Sequence, residues 1–328
     1  MATCLFRSPL APRLQAFLES HYARSQSGIS SQKILLFLDR FLMGELKPGQ
    51  TITREVVERW NESMAHLSPN TRINRLCVLR RFCRYLSYFD PRTCLIHRNF
   101  SPRRTRPAPH IYTRQDIRRI MAAVRQLGPP GSLRPVVVAN LIGLLYTTGL
   151  RIGEALKLTL RDIDLQRRLV EVREGKFHKS RYVPLSISAA RQLKKYLRQR
   201  RGAGFSTALT APAFLNIIGT RHGHPGFVTL FLELLRSLGL RGPKGQPGPR
   251  IHDLRHTFAV HRLLAWYRQG ANLAAKLPLL STYLGHTTIT GTEIYLQATA
   301  QLLERAGQRF HANFAVPPAA QTKRHDKA

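Results

Sequence analysis

TTGLRIGEALKL (147–158) is the stretch from which the rest of the chain can be read. An uncharged run over 135–150 is broken at Gly149, which reads as a left-handed helix terminus, and a second short helix begins directly after it. Arg151 therefore stands at a helix–helix junction, with Glu154 three residues on. Downstream, LVEVREGKFHKSRYVPL (169–185) is two β-rich segments flanking Gly175, a hairpin with Lys176 at its tip. In RIHDLRHTFAVHRLL (250–264) His252 and Arg255 are three apart, which puts both on one face of a helix. LSTYLGH (280–286) closes on His286, and Tyr295 follows nine residues later in TTITGTEIYLQAT (287–299), on a further short helix.

Taken singly, each of these residues has an ordinary reading: Arg151 as a surface ion-pair residue, Lys176 as a charged hairpin tip, His286 as a helix-end residue, Tyr295 as a half-buried aromatic. A chain with 52 Lys+Arg and 13 His also produces HxxR pairs by accident. Their joint order carries more. Breaking a phosphodiester without metal or water takes a nucleophile that can carry the phosphate, donors for the non-bridging oxygens, and an acid for the leaving oxygen. Tyr295 supplies the first, the arginines and histidines the second, and Lys176 the third. A tyrosine hydroxyl, with an ordinary pKa of about 10, needs cations and a base to lose its proton at neutral pH. Arginine forks fit paired phosphate oxygens and stay charged, whereas a lysine can be tuned into an acid.

TTGLRIGEALKL, GKFHKSRYVPL, HDLRHTFA, YLGHTTI and the Ile294–Tyr295 pair resemble the tyrosine recombinase (phage integrase) family over most of 111–312. The resemblance implies that Arg151, Arg255 and His286 hold the scissile phosphate, that Lys176 protonates the departing 5′ oxygen, and that Tyr295 forms a 3′-phosphotyrosyl link. It implies that His252 assists proton transfer at the tyrosine. Glu154 matches the family's acidic position, with a helix-surface carboxylate as the ordinary alternative. The implied fold is mainly α with a small antiparallel β-sheet around Lys176, arranged as a two-domain C-shaped clamp of an N-terminal helical core-binding domain and a catalytic domain. The implied activity is site-specific DNA strand cleavage and rejoining, with no metal, ATP or other cofactor, by a homotetramer on two duplexes. QLLERAGQRFHANF (301–314) is the segment expected to dock on a neighbouring subunit, and KLPLLSTYLGH resembles recombinases encoded in tandem sets on mobile elements.

Composition points to the same partner by a separate route. Lys+Arg exceed Asp+Glu by 52 to 18, a formal charge of +34, and the basic residues recur along the whole chain rather than in one amphipathic tail. That pattern favours double-stranded DNA over an anionic membrane. The N-terminus, MATCLFRSPLAPR, lacks the apolar stretch of a secretory signal, and the 135–150 run is shorter than the ~20 residues of a membrane span, so a DNA-associated cytoplasmic protein is expected. Cys4, Cys77, Cys83 and Cys94 have no metal-site spacing and read as reduced core residues.

Hydrophobic content of 43% over 328 residues supports about two domains. Short amphipathic helices are expected at 9–24, 30–43 and 53–66, and a longer one at 68–88 opened by Ser68 and Pro69. That last helix puts Ile73, Leu76, Leu79, Phe82 and Leu86 on an apolar stripe and Arg72, Arg75, Arg80, Arg81 and Arg84 on other faces, available to a duplex. The expected N-terminal domain is 1–98. NFSPRRTRPAPH (99–110), with Arg103, Arg104 and Arg106 among three prolines, reads as an extended basic linker crossing the DNA backbone. Thr113 and Asp116 form a helix start that opens the catalytic domain, 111–315, and 316–328 read as a disordered tail.

Two segments depart from the compact family pattern: the long interval 256–285 before His286, and RGPKGQPGPR (241–250), a loop expected to order only on DNA. A type IB topoisomerase uses a similar residue set, a non-catalytic relative would keep the fold alone, and a metal-dependent nuclease is disfavoured for want of clustered carboxylates. The charge excess predicts that non-specific DNA affinity falls steeply with salt, each neutralised phosphate contributing about 0.9 to the log–log slope. A slope near zero in a salt titration of duplex binding would contradict that reading.

Overall fold

The computed structural model describes residues 5–22, 26–100, 102, 108–173 and 180–285. The chain divides into two compact units, Met1–Pro107 and Ala108–Ala328. The linker arginines Arg103, Arg104 and Arg106, the hairpin tip with Lys176, and everything from His286 onward, Tyr295 and the 301–314 segment included, lie outside the described residues.

The first unit is helical: α1 (Ala11–Tyr22), α2 (Gln26–Glu45), α3 (Arg54–Ser63) and α4 (Pro69–Leu86). Leu14, Phe17, Leu35, Leu38, Leu42, Trp60, Leu76, Leu79 and Phe82 make its core. The buried Asp39 carboxylate accepts from the backbone N–H groups of Arg7 and Ser8, both at 2.9 Å, and so ties the chain entry to α2. Helix α4 begins as its sequence dictates: the Ser68 hydroxyl accepts from Thr71 N–H, and Pro69 follows in the first turn, where its missing donor costs nothing. Its apolar stripe is buried throughout. Of the three cysteines in the described residues, all free, only Cys83 is a core residue, while Cys77 and Cys94 are half-buried. Burial pushes the Cys83 thiol pKa up.

The second unit is built around α6 (Arg134–Thr148), whose Val137, Val138, Leu141, Ile142, Leu144 and Leu145 are all buried, which is why its sequence carries no charge after Arg134. Helix α5 (Arg114–Val124), capped by the reciprocal Thr113–Asp116 box, packs on it, as do α7 (Ile152–Lys157), α8 (Ile187–Gly202) and α10 (Asp253–Arg268). The strands β1 (Ile163–Asp164), β2 (Leu169–Val172) and β3 (Arg181–Pro184) form one antiparallel sheet in that order, with Val172 opposite Arg181 at the hairpin end. Val170, Val172 and Val183 point into the core. Helix α9 (His224–Ser237) covers α5 and α7.

The long interval before residue 286 is accounted for by α11 (Leu273–Leu284), which packs against α10 and β3 through Leu280 and Leu284. Within the 241–250 loop the Arg241 guanidinium donates to the carbonyls of Gln246 (2.9 Å) and Pro249 (2.7 Å). Among the described residues no helix is long and apolar enough to cross a membrane.

Gly149 and Gly285 both end helices in the left-handed region, at φ 64° and 68°. They differ in surroundings. A Cβ on Gly149 would lie 2.5 Å from Phe258 Cδ1 and 3.0 Å from Leu284 Cδ2, whereas one on Gly285 would meet, among the described residues, only the Arg181 guanidinium, at 3.1 Å or more. Both alanine variants carry the backbone penalty, and Gly149→Ala adds a core clash of about 1–3 kcal/mol. Urea unfolding should show Gly149→Ala as the less stable by that margin; equal losses would contradict the close approach of α6 to α10 and α11.

Candidate active site

The end of α6 and the start of α7 bring Arg151 to the N-cap position of α7. Its backbone N–H donates to Glu154 Oε2 at 3.0 Å and its Nη1 to Glu154 Oε1 at 2.8 Å. Glu154 is 8% exposed, so the helix-surface alternative does not hold. On its other side Arg181, the first residue of β3, donates Nη2 to Oε2 at 2.8 Å and Nη1 to Oε1 at 3.2 Å. Burial alone would raise the carboxyl pKa, but the hydrogen bonds and charge of Arg181, with Arg151 behind them, hold it down to about 2. Glu154 is thus an anion shared by two guanidinium groups.

The C-terminus of α11 meets the same cluster. A helix end leaves its last carbonyls without intrahelical donors, at the negative end of the helix dipole. Here three arginines from three different elements supply them. Arg181 Nε donates to the Tyr283 carbonyl at 2.9 Å, Arg255 Nη2 to that of Leu284 at 2.6 Å, and Arg151 Nη2 to that of Gly285 at 3.1 Å. Arg255 also gives Nη1 to the Gly149 carbonyl at 2.8 Å, which fixes the end of α6 against the same helix. Three guanidinium groups and one carboxylate leave a net positive site, suited to an oxyanion.

Arg151 and Arg255, 104 residues apart in sequence, are therefore brought to adjacent carbonyls. They are not equally open: the Arg151 side chain is 25% exposed and Arg255 as a residue 2%. His252 is exposed and sits at the N-cap position of α10 rather than within the helix, one turn ahead of Arg255. Its ring meets that of His256 edge-on, with centroids 4.8 Å apart. Lys176, His286 and Tyr295 lie outside the described residues; Lys176 belongs to the segment joining β2 to β3, and His286 is the residue after Gly285.

Sequence reading passed over Arg181. A signal was present: in a strand, positions 181 and 183 share a face, and Val183 belongs to the core, so an arginine there requires a buried anionic partner. The five arginines of α4 that the sequence offers to a duplex differ in their surroundings. Arg72 donates to Asn61 Oδ1 at 2.9 Å, Arg75 lies over the Phe37 ring at 4.4 Å, and Arg80 donates to the carbonyls of Ile96 and His97. Arg81 and Arg84 are the two with exposed side chains.

The family model for the phage integrase family matches residues 111–301. The y4rB integrase/recombinase of Sinorhizobium fredii is 36% identical over 262 residues, 79% of this chain and 83% of that protein. The tyrosine recombinase XerD of Halalkalibacterium halodurans is 27% identical over 318 residues, covering 91% of this chain and 97% of its own. Among solved structures, the XerH site-specific recombinase in its post-cleavage complex with a palindromic difH substrate shares the fold at a TM-score of 0.68 and 19% identity, over 93% of this chain and 85% of that one.

Burial, then the positive charges of His252, Arg255 and Arg250, pushes the His256 pKa down to about 3 from an ordinary 6.5. In the unfolded chain it takes its proton near 6.5, so the stability carried by neutral His256 is complete above that pH and drains away as pH falls toward 3. The urea midpoint should decline between pH 7 and pH 5, and His256→Asn should make that decline shallower, His222 and His261, shifted the same way by burial, keeping the remainder. Identical slopes in the two proteins would refute a neutral, half-buried His256.

Proposed function

This chain belongs to the phage integrase family and is a tyrosine recombinase, a DNA strand cleaving and rejoining enzyme; from that premise we propose which residues perform the reaction and how. The observation that carries the assignment is the seating of Arg151 and Arg255 on the two carbonyls directly ahead of His286. His286 is the next residue in the chain, and in this reading it acts with both arginines to balance the charge that develops on the non-bridging oxygens of a scissile phosphate.

The Tyr295 hydroxyl oxygen attacks phosphorus, its proton passing to His252, while the bond from phosphorus to the 5′ oxygen breaks and Lys176 gives that oxygen its proton. The product is a 3′-phosphotyrosyl link and a free 5′-hydroxyl. Attack by a new 5′-hydroxyl reverses each transfer and rejoins the strand, with the bond energy held in the link, so neither ATP nor a metal takes part. Glu154 supports the site by holding Arg151.

Double-stranded DNA is the partner, in keeping with the palindromic substrate on which the XerH neighbour sits. The exposed Arg81 and Arg84 of α4 and the linker's Arg103, Arg104 and Arg106 contact its backbone, with Arg72, Arg75 and Arg80 contributing charge from their intramolecular seats. The two units, with 1–98 and 111–315 as domains, 99–110 as linker and 316–328 as a tail, close on the duplex as a C-shaped clamp. Four copies assemble on two duplexes through the 301–314 segment, in the cytoplasm and in the service of a mobile element. A topoisomerase would instead relax plasmids lacking any defined site.

Tyr295→Phe should bind DNA and lose all covalent capture on a nicked suicide duplex. Lys176→Ala should be very slow on ordinary DNA and recover when the bridging 5′ oxygen is sulfur, a leaving group that needs no proton. Arg151→Ala should show no such recovery. An adduct formed by Tyr295→Phe, or attachment to a 5′ phosphate, would overturn the assignment.

A further inference from the structure

We propose that Arg181 is a positioning residue for strand cleavage, fastening the last turn of α11 and the foot of the hairpin to the carboxylate that also holds Arg151. The inference rests on the reading of Lys176 and His286 given above, and it concerns a residue that touches none of the reacting atoms.

All three guanidinium nitrogens of Arg181 are engaged, and in two directions: Nη1 and Nη2 on the two oxygens of Glu154, Nε on the Tyr283 carbonyl. Its side chain is 15% exposed. Only a planar fork can span a carboxylate edge and still present a third donor at an angle to it; an ammonium offers a single point charge. The position in the chain gives these bonds their meaning. Arg181 stands at the hairpin end of β3, opposite Val172, five residues beyond Lys176. Tyr283, whose carbonyl it holds, is three residues ahead of His286.

One side chain therefore joins the strand that follows the lysine in the chain, the helix end that precedes the histidine in the chain, and, through Glu154, Arg151. Burying this ion pair is no strong argument for stability, since desolvating both charges offsets much of their attraction. Its geometric specificity is the better account. A displacement of about 1 Å at a reacting group can cost on the order of 10²-fold in rate, and Arg181 controls the origin of two such groups at once.

The experiment uses the full chain and a nicked suicide duplex bearing a sequence at which the wild type forms its adduct. Arg181→Lys keeps the charge and loses the fork. The double variant Arg181→Gln with Glu154→Gln removes both charges, so that no lone buried carboxylate is left to unfold the protein. Duplex affinity and the first-order rate of adduct formation at saturating protein are measured separately, with thermal unfolding alongside. We expect affinity and unfolding temperature of Arg181→Lys to match wild type while its adduct rate falls by about 10²-fold, and the double variant to be similarly slow. A wild-type rate in either variant would overturn the proposal, as would a rate loss matched by a proportional loss of affinity or of folded protein. Tyr295→Phe runs beside them: adduct formation there sinks the assigned nucleophile, whereas fast cleavage by Arg181→Lys with Tyr295→Phe inactive sinks the role of Arg181 alone.

Discussion

The second unit depends on one buried carboxylate. Glu154 takes hydrogen bonds from Arg151 and Arg181, and these two with Arg255 take the three carbonyls that end α11. A buried glutamate without partners would be costly, and three clustered guanidinium groups without an anion would repel one another. Together they form a unit that leaves an excess of positive charge. Among the described residues, the hydrogen bonds that fix this cluster run between protein groups, and they hold the three guanidinium groups close together in spite of their mutual repulsion.

Much of this was legible in the sequence because the decisive features are local. Gly149 ending an apolar run, Ser68 ahead of Pro69, Thr113 with Asp116, and β-rich segments on either side of Gly175 each specify their element through a few neighbouring residues, and each element is present where it was expected. The helical stripe of α4 was equally plain, since period and burial agree. The three-residue spacing of His252 and Arg255 keeps its helical sense, since His252 is the N-cap of α10 with helical dihedrals and its carbonyl accepts from the Arg255 and His256 N–H groups.

What stayed hidden is long-range. Arg181 and Tyr283 are 102 residues apart, Arg255 and Gly149 106, and nothing in the local sequence of either pair announces the other. The same holds for the arginines of α4. Composition counts charge, whereas Asn61, Phe37 and the Ile96 and His97 carbonyls decide which of those charges are spent within the fold. A chain of formal charge +34 thus uses part of its arginine complement as cross-braces, a task for which a guanidinium, with five donors and a weak hydration shell, is better suited than lysine.

The arginine seats at the end of α11 also bear on how this chain tolerates change in length. Between Arg255 and Leu284 lie the rest of α10, a turn and α11, yet a side-chain bond closes that span at 2.6 Å. Because residues 283–285 are located by donors from β3, α10 and the α6–α7 junction, and not by counting along the intervening chain, segments can be gained or lost between the two helices without shifting the residue that follows. Insertion in this region is thereby uncoupled from the placement of residues 283–285.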